Sequence, residues 1–288
     1  MTRGHLWLVG AGPGDPELLT LKAARTLQGA DVVLHDSLVH PDILRHAHPR
    51  ATVRCVGKRA GRESTPQVVI HELIAEAAHD GKQVVRLKGG DPMMLGRAGE
   101  EMAFAEAAGI PWTYVPGISS GTSLPGLSGI PPTLRGVASA AWLGTATDQH
   151  GRLTSDLVQA LSTNATLIIF MGRRRIRDIA RHLVHGGRGS MPVAVISEGS
   201  LPGQQTVVHD ADTWLSLKTL PTLPDPALLV VGEVVHHRIQ HQSNQALIPE
   251  SHPQKHSPIR HLPTFQHEHE IPPVPQTGSR QIQRLRRV

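Results

Sequence analysis

Apolar residues along the first 125 positions fall in short blocks that alternate between two periods. HLWLV (5–9), DVVLH (31–35), TVRCV (52–56), QVVRLK (83–88) and WTYV (112–115) are compact apolar runs of strand length. Between them, 16–27 sets Leu18, Leu19, Ala23 and Leu27 near helical spacing, and 67–78 does the same with Ile70, Leu73, Ile74 and Ala77. The stretch 100–108 predicts a third helix. Strands separated by helices predict a mostly parallel sheet covered on both faces. GLSGIPPTLRG (126–136) interrupts the pattern with Gly and Pro and reads as a linker. A second α/β stretch follows, with strands at AAWLG (140–144), ATLIIFM (165–171), PVAVIS (192–197), QTVVH (205–209) and ALLVVG (227–232). Its helices fall near 155–161, 176–185 and 212–217. The expected division is an N-terminal α/β domain over 1–127, a linker over 128–138 and a C-terminal α/β domain over 139–235.

From His236 onward the periodicity stops. Pro, His and Gln are scattered without an apolar face, a composition that cannot bury enough surface to fold, so 236–288 is expected to be a disordered basic tail. That tail changes the reading of the charge. Its seven Lys/Arg and three Asp/Glu carry +4 of the net +5, so the pI of 9.9 belongs mostly to it. The body is not a basic slab, and a specific nucleic-acid partner is not expected. HEHE (267–270) contains metal-ligand types but nothing that fixes their geometry, and no metal site is expected. The single cysteine, Cys55, cannot form an intramolecular disulfide, which fits a reducing compartment. No apolar run approaches the ~20 residues that span a bilayer, and the N-terminal run is too short for a signal peptide. The expectation is a cytoplasmic protein with no membrane partner.

Three sequence features can carry chemistry. The first is GAGPGDPELLT (10–20), directly after a strand. A dinucleotide fingerprint requires G-x-G-x-x-G, and here the third glycine is Asp15. Asp15 before Pro16 predicts a helix N-cap, and its carboxylate would repel a pyrophosphate at the same end. The stretch is either a plain tight turn or a place where backbone approaches a ligand that is not a polyphosphate. The second is RLKGGDPMMLGRAGEE (86–101), where Gly89 and Gly90 follow a strand and Asp91 offers an acceptor. In open α/β sheets, ligands sit beyond the carboxyl ends of strands, so two glycine turns there can face one crevice. The third is a pair at that same edge, Asp36 and Lys58, which could move protons.

VGAGPGDPELLTLKA, DSLV, VGKRAGR, RLKGGDP, GRAGEE, VPGISS, GIPPTLRG and FMG occur in this order. The ordered set, over roughly residues 8–235, resembles the tetrapyrrole (precorrin) methylase family, in particular its members that act on uroporphyrinogen III. The resemblance implies two α/β domains with the active site in the cleft between them, usually as a homodimer. It implies methyl transfer from S-adenosylmethionine to C2 and C7 of uroporphyrinogen III, giving precorrin-2 on the branch toward sirohaem and cobalamin. Matched residue by residue, Asp36 resembles the family's proton acceptor and Lys58 its proton donor. Pro13, Gly89, Gly90, Asp91, Met94, Ser119, Ser120, Met171 and Gly199 match cofactor-contact positions. The substrate carries eight carboxylates, and guanidinium forks bind carboxylates in pairs, so Arg59, Arg62, Arg86, Arg97 and Arg135 are candidates to hold it.

The chain departs from the family pattern at three points. Leu134 replaces the His of a usual THR, Ala146 replaces the His of a usual TGH, and Ala98 turns GRGGEE into GRAGEE. The first two losses leave two other readings open: a different precorrin methylase, or a cofactor-binding protein with weak catalysis.

Overall fold

The computed structural model describes residues 4–57 and 65–239, which all fall within one compact unit. Among them are two five-stranded sheets. The first contains β1 (His5–Gly10), β2 (Val32–His35), β3 (Thr52–Cys55), β4 (Gln83–Lys88) and β5 (Trp112–Val115), in the order β3-β2-β4-β1-β5. Every pairing in it is parallel, as the alternating sequence pattern predicts. Alternate strand residues feed opposite layers. Leu6, Leu8 and Val84 pack under α2 (Gln67–His79) and α3 (Ala98–Ala107), while Val9, Val33 and Val85 pack under α1 (Leu21–Gln28).

The expected helix over 16–27 is two elements. Asp15 caps a single 3-10 turn, Pro16–Leu18, accepting from the Glu17 N–H at 2.9 Å. The chain then extends, and α1 restarts at Leu21 because the Thr20 hydroxyl caps the Ala23 N–H. One helix, α4 (Ser120–Leu127), is unexpected: its SGTSLPGL sequence has poor helical propensity. Tertiary contact overrides propensity there. Gly121 lies against the Phe170 ring so closely that a Cβ would stand 2.7 Å from it, and Leu124 is buried.

The second sheet contains β6 (Ala141–Thr145), β7 (Thr166–Phe170), β8 (Pro192–Ser197), β9 (Gln205–Asp210) and β10 (Ala227–Val231), in the order β6-β7-β10-β8-β9. Only β6 and β7 run parallel; β7-β10, β10-β8 and β8-β9 are antiparallel. α5 (Ser155–Ala160), α6 (Ile176–His185) and α7 (Ala211–Ser216) cover one face, and α4 covers the other. The segment 128–138 is itself packed: Ile130 is fully buried, and Leu134 and Ala138 exchange backbone hydrogen bonds. The chain past β10 also stays on the fold as far as residue 239, with Arg238 Nε donating to the Ser128 carbonyl and the Ile239 N–H to that of Gly129. The rest of the expected tail, including HEHE, lies outside the described residues. No described helix is long and apolar enough to cross a membrane.

Candidate active site

β1 and β4 lie side by side, but the chain leaves β1 for β2 on one flank and leaves β4 for β5 on the other. This is the switch point at which a parallel sheet opens a crevice beyond its carboxyl ends. Both glycine turns sit there, and their glycines approach each other. Gly12 and Gly90 form a two-hydrogen-bond bridge, Gly90 N–H to Gly12 O at 2.7 Å and Gly12 N–H to Gly90 O at 3.2 Å. A Cβ on Gly10 would fall 2.4 Å from the Gly117 Cα, and one on Gly117 only 2.2 Å from the Gly90 carbonyl. Three loops thus interlock through bare backbone. Ser200, from the loop after β8, joins them by accepting the Asp15 N–H at 3.0 Å.

A cavity of about 770 Å³ opens beside this junction. Asp36, Pro13, Gly89, Gly90, Asp91, Met94, Ser119, Ser120, Met171 and Gly199 all line it, so these ten sequence-predicted positions converge from both sheets. Several are held in unusual backbone. Leu95, Met171 and Glu198 on the lining adopt φ of 55°, 55° and 47°, and Arg97 and Ser200 in the same loops adopt 58° and 68°. Non-glycine residues in this region are uncommon and concentrate at ligand sites. Met171 is 62% exposed and Leu38 equally so, leaving an apolar rim unpacked around the opening.

The predicted carboxylate-binding arginines do not converge in the same way. Arg97 is exposed and pairs with Glu100 at 2.6 Å, Arg135 is exposed away from the cavity, and neither lines it. Arg59 and Arg62, with Lys58, lie outside the described residues. Two arginines that sequence reasoning passed over do line the cavity: Arg173, forked onto Asp225 at 2.7 and 2.8 Å, and the exposed Arg174. Leu134 and Ala146 do not line it; Ala146 is fully buried in the core of the second sheet.

Beneath the cavity lies a charge cluster. Arg86 and Lys88 project from β4, and both are 3% exposed; Glu101, on α3, is 0% exposed. Glu101 accepts from Arg86 Nε at 2.9 Å, from the Lys88 ammonium on both carboxylate oxygens at 3.1 Å, and from Gln67 at 3.3 Å. Arg86 Nη2 also donates to Asp36 Oδ1. Two cations and two carboxylates leave the cluster neutral, the condition for burying charge at all. Burial works against the Arg86 charge, but Asp36 and Glu101 outweigh it and hold the guanidinium above its ordinary pKa. Lys88 is pushed below its ordinary value, by burial first and then by Arg86. Arg86 is therefore committed to internal partners and is not a free anchor for substrate.

Asp91 is similarly engaged. One oxygen accepts the Met93 N–H at 2.8 Å; the other accepts the Tyr114 hydroxyl at 2.6 Å and the Gly117 N–H at 3.0 Å. Burial and this hydrogen bond raise the Tyr114 hydroxyl to about 12. With four lone-pair directions and three donors, the Asp91 carboxylate on the cavity lining keeps capacity to accept one more hydrogen bond.

A family model described as Tetrapyrrole (Corrin/Porphyrin) Methylases matches residues 5–213, and the chain belongs to that family. It is 45% identical over 234 residues to the uroporphyrinogen-III C-methyltransferase of Pseudomonas aeruginosa, covering 80% of this chain and 94% of that protein. It is also 43% identical to Siroheme synthase 1 of Yersinia enterocolitica, over 86% of this chain but 54% of that one. The chain thus spans about half the length of the siroheme synthases it matches. Among solved structures, the uroporphyrin-III C-methyltransferase of Thermus thermophilus complexed with S-adenosylhomocysteine superposes with a TM-score of 0.68 and 39% identity, over 81% of this chain and all of that one.

Proposed function

We propose that the chain uses S-adenosylmethionine to methylate uroporphyrinogen III at C2 and C7, yielding precorrin-2. The observation that carries this reading is the convergence of all nine family cofactor positions and Asp36 on one cavity at the β1–β4 switch point. The cavity suits the cofactor. Its volume is in the range of small-molecule sites, and its walls mix exposed backbone and carboxylates with the apolar side chains of Met94, Leu95 and Met171. That combination matches a molecule with a charged amino-acid end, a ribose and a flat base.

Bound S-adenosylmethionine supplies an electrophilic methyl on a sulfonium. The residues of this chain position and deprotonate. The interlocked glycine loops fix the floor, so that substrate and cofactor are held in one orientation and the attack becomes effectively unimolecular. Asp36, 29% exposed and lining the cavity, accepts the proton that the tetrapyrrole gives up after a ring carbon is methylated. Lys58 acts as the proton donor. Arg173 and Arg174, on the cavity lining, are the candidates for the substrate's carboxylates at the rim. Because Leu134 and Ala146 lie away from the cavity, their side chains give no ground for a silent cleft.

The homodimer, the cytoplasmic setting and the domain limits at 127 and 139 belong to the same proposal. Titration calorimetry with S-adenosylhomocysteine tests the site. One molecule should bind per chain, and Gly90→Leu should abolish binding, because Gly90 sits at φ 66° and any side chain there faces the cavity loops. Wild-type affinity in that variant would remove the cofactor from this cavity.

A further inference from the structure

We infer that Arg86 and Glu101 form a positioning relay that holds Asp36 for proton removal; this deepens the proposed function and rests on Asp36 being the acceptor. Asp36 follows β2 on a loop, and a carboxylate there has no fixed direction of its own. Its partner is the opposite. Arg86 is 3% exposed and uses separate edges of its planar fork for separate tasks. Nε donates to Glu101 at 2.9 Å, Nη1 to the Leu34 and Leu87 carbonyls at 3.3 and 3.2 Å, and Nη2 to Asp36. Only the last bond reaches the cavity lining; the other three lock the plane. Lysine cannot reproduce the arrangement, since an ammonium is a point donor with no second edge.

Glu101 has no contact with the cavity, yet it is fully buried and takes hydrogen bonds from three side chains. Its place in the cluster has a physical rationale. With Asp36 it balances the charges of Arg86 and Lys88 where both cations are buried, and it aims Arg86 along the line that ends at Asp36. Arg86 and Lys88, both from β4, are charged groups on another element that interact with Asp36. The adjacent His35 ring is turned to the Asp36 carbonyl at 2.9 Å instead of its carboxylate.

The test is kcat and KM of Arg86→Gln beside Asp36→Asn, with cofactor affinity measured by calorimetry. Arg86→Gln leaves Glu101 paired with Lys88, so no buried charge is stranded. A relay predicts a kcat lower by about 10–10²-fold from loss of orientation. KM and cofactor affinity stay near wild type. A parallel fall in kcat and cofactor affinity would mean a merely structural role, and an unchanged kcat would mean no role; either overturns the relay. Should Arg86→Gln not fold, Glu101→Asp, which keeps the charge and retracts the carboxylate, must lower kcat with KM and cofactor affinity near wild type, or the relay fails. Full turnover in Asp36→Asn would instead overturn the underlying reading of Asp36, and the two failures are thereby distinct.

Discussion

The first sheet buries three charged side chains, Arg86, Lys88 and Glu101, whereas the second buries none among the described residues; its buried polar groups there are Thr166 and Ser197. The first sheet is wholly parallel, and its carboxyl edge gathers the two glycine turns and Asp36. The second is mostly antiparallel around an aliphatic core with Trp214 at its centre, and it presents Phe170, Met171 and Gly199 to the cavity. A parallel sheet directs every strand's carboxyl end to one side, so groups that handle protons collect there. A mostly antiparallel sheet has no such common edge, and what its loops supply is shape, apolar surface and the rim residues Arg173 and Arg174. The two walls therefore differ: Asp36 and the glycine turns line one, and apolar surface with the rim arginines lines the other.

The largest expected effect lies on the charged wall. Asp36→Asn should lower kcat by about 10²–10⁴-fold while cofactor affinity changes little. Equal losses in both would make Asp36 positional and blur the contrast. Next comes the enclosing wall. Trp214 is 1% exposed, and its indole donates to the Val193 carbonyl at 3.0 Å. Trp214→Ala should cost about 3–5 kcal/mol of stability, read as a fall in Tm, with kcat preserved at temperatures where the fold persists. A kcat loss without a Tm loss would assign chemistry to the second sheet. Smaller still, Arg174→Ala should raise KM for the tetrapyrrole by about 2–5-fold, the scale of an exposed ion pair, and leave kcat unchanged.

The smallest effect is at the hydrogen bond between Tyr114 and Asp91. Tyr114 is the chain's sole tyrosine, so tyrosinate absorbance in the intact protein reports this residue alone. Its midpoint should lie at about 12 against an ordinary 10.0, and Asp91→Asn should bring it down. Because the folded value is the higher one, the stabilisation from this bond is complete below pH 10.0 and is lost as pH climbs through the folded midpoint. A midpoint at the ordinary value would mean that Tyr114 does not hold Asp91.

Much of this was legible in the sequence, for physical reasons that differ by element. All ten strands stand out because strand-length apolar runs between polar turns leave few other structures. Asp15 is readable as a cap because Asp-Pro is local chemistry. The role of the glycines is only half readable: their spacing excludes a phosphate cradle, but that Gly10, Gly12, Gly90 and Gly117 meet one another depends on strand order. α4 is hidden because Gly121 and Pro125 argue against a helix, and what stabilises it, the Phe170 ring, lies on another element. The Arg86–Glu101–Asp36 cluster is hidden for the same reason, being assembled from β4, α3 and a loop. A signal was nonetheless present: Arg86 and Lys88 stand two apart on a strand otherwise apolar, so both cations face one buried side and require an acid there. The arginines chosen for the substrate were selected by charge alone, and charge does not reveal that Arg97 is paired with Glu100 or that Arg174 stands at the rim.

The central claim is that this cleft methylates uroporphyrinogen III. The most direct measurement is an anaerobic assay with the full chain, S-adenosylmethionine and uroporphyrinogen III, read by product mass beside a working relative. The account predicts a product heavier by two methyl groups. An unmethylated tetrapyrrole in the presence of bound cofactor, or methylation only of a later precorrin, would contradict it.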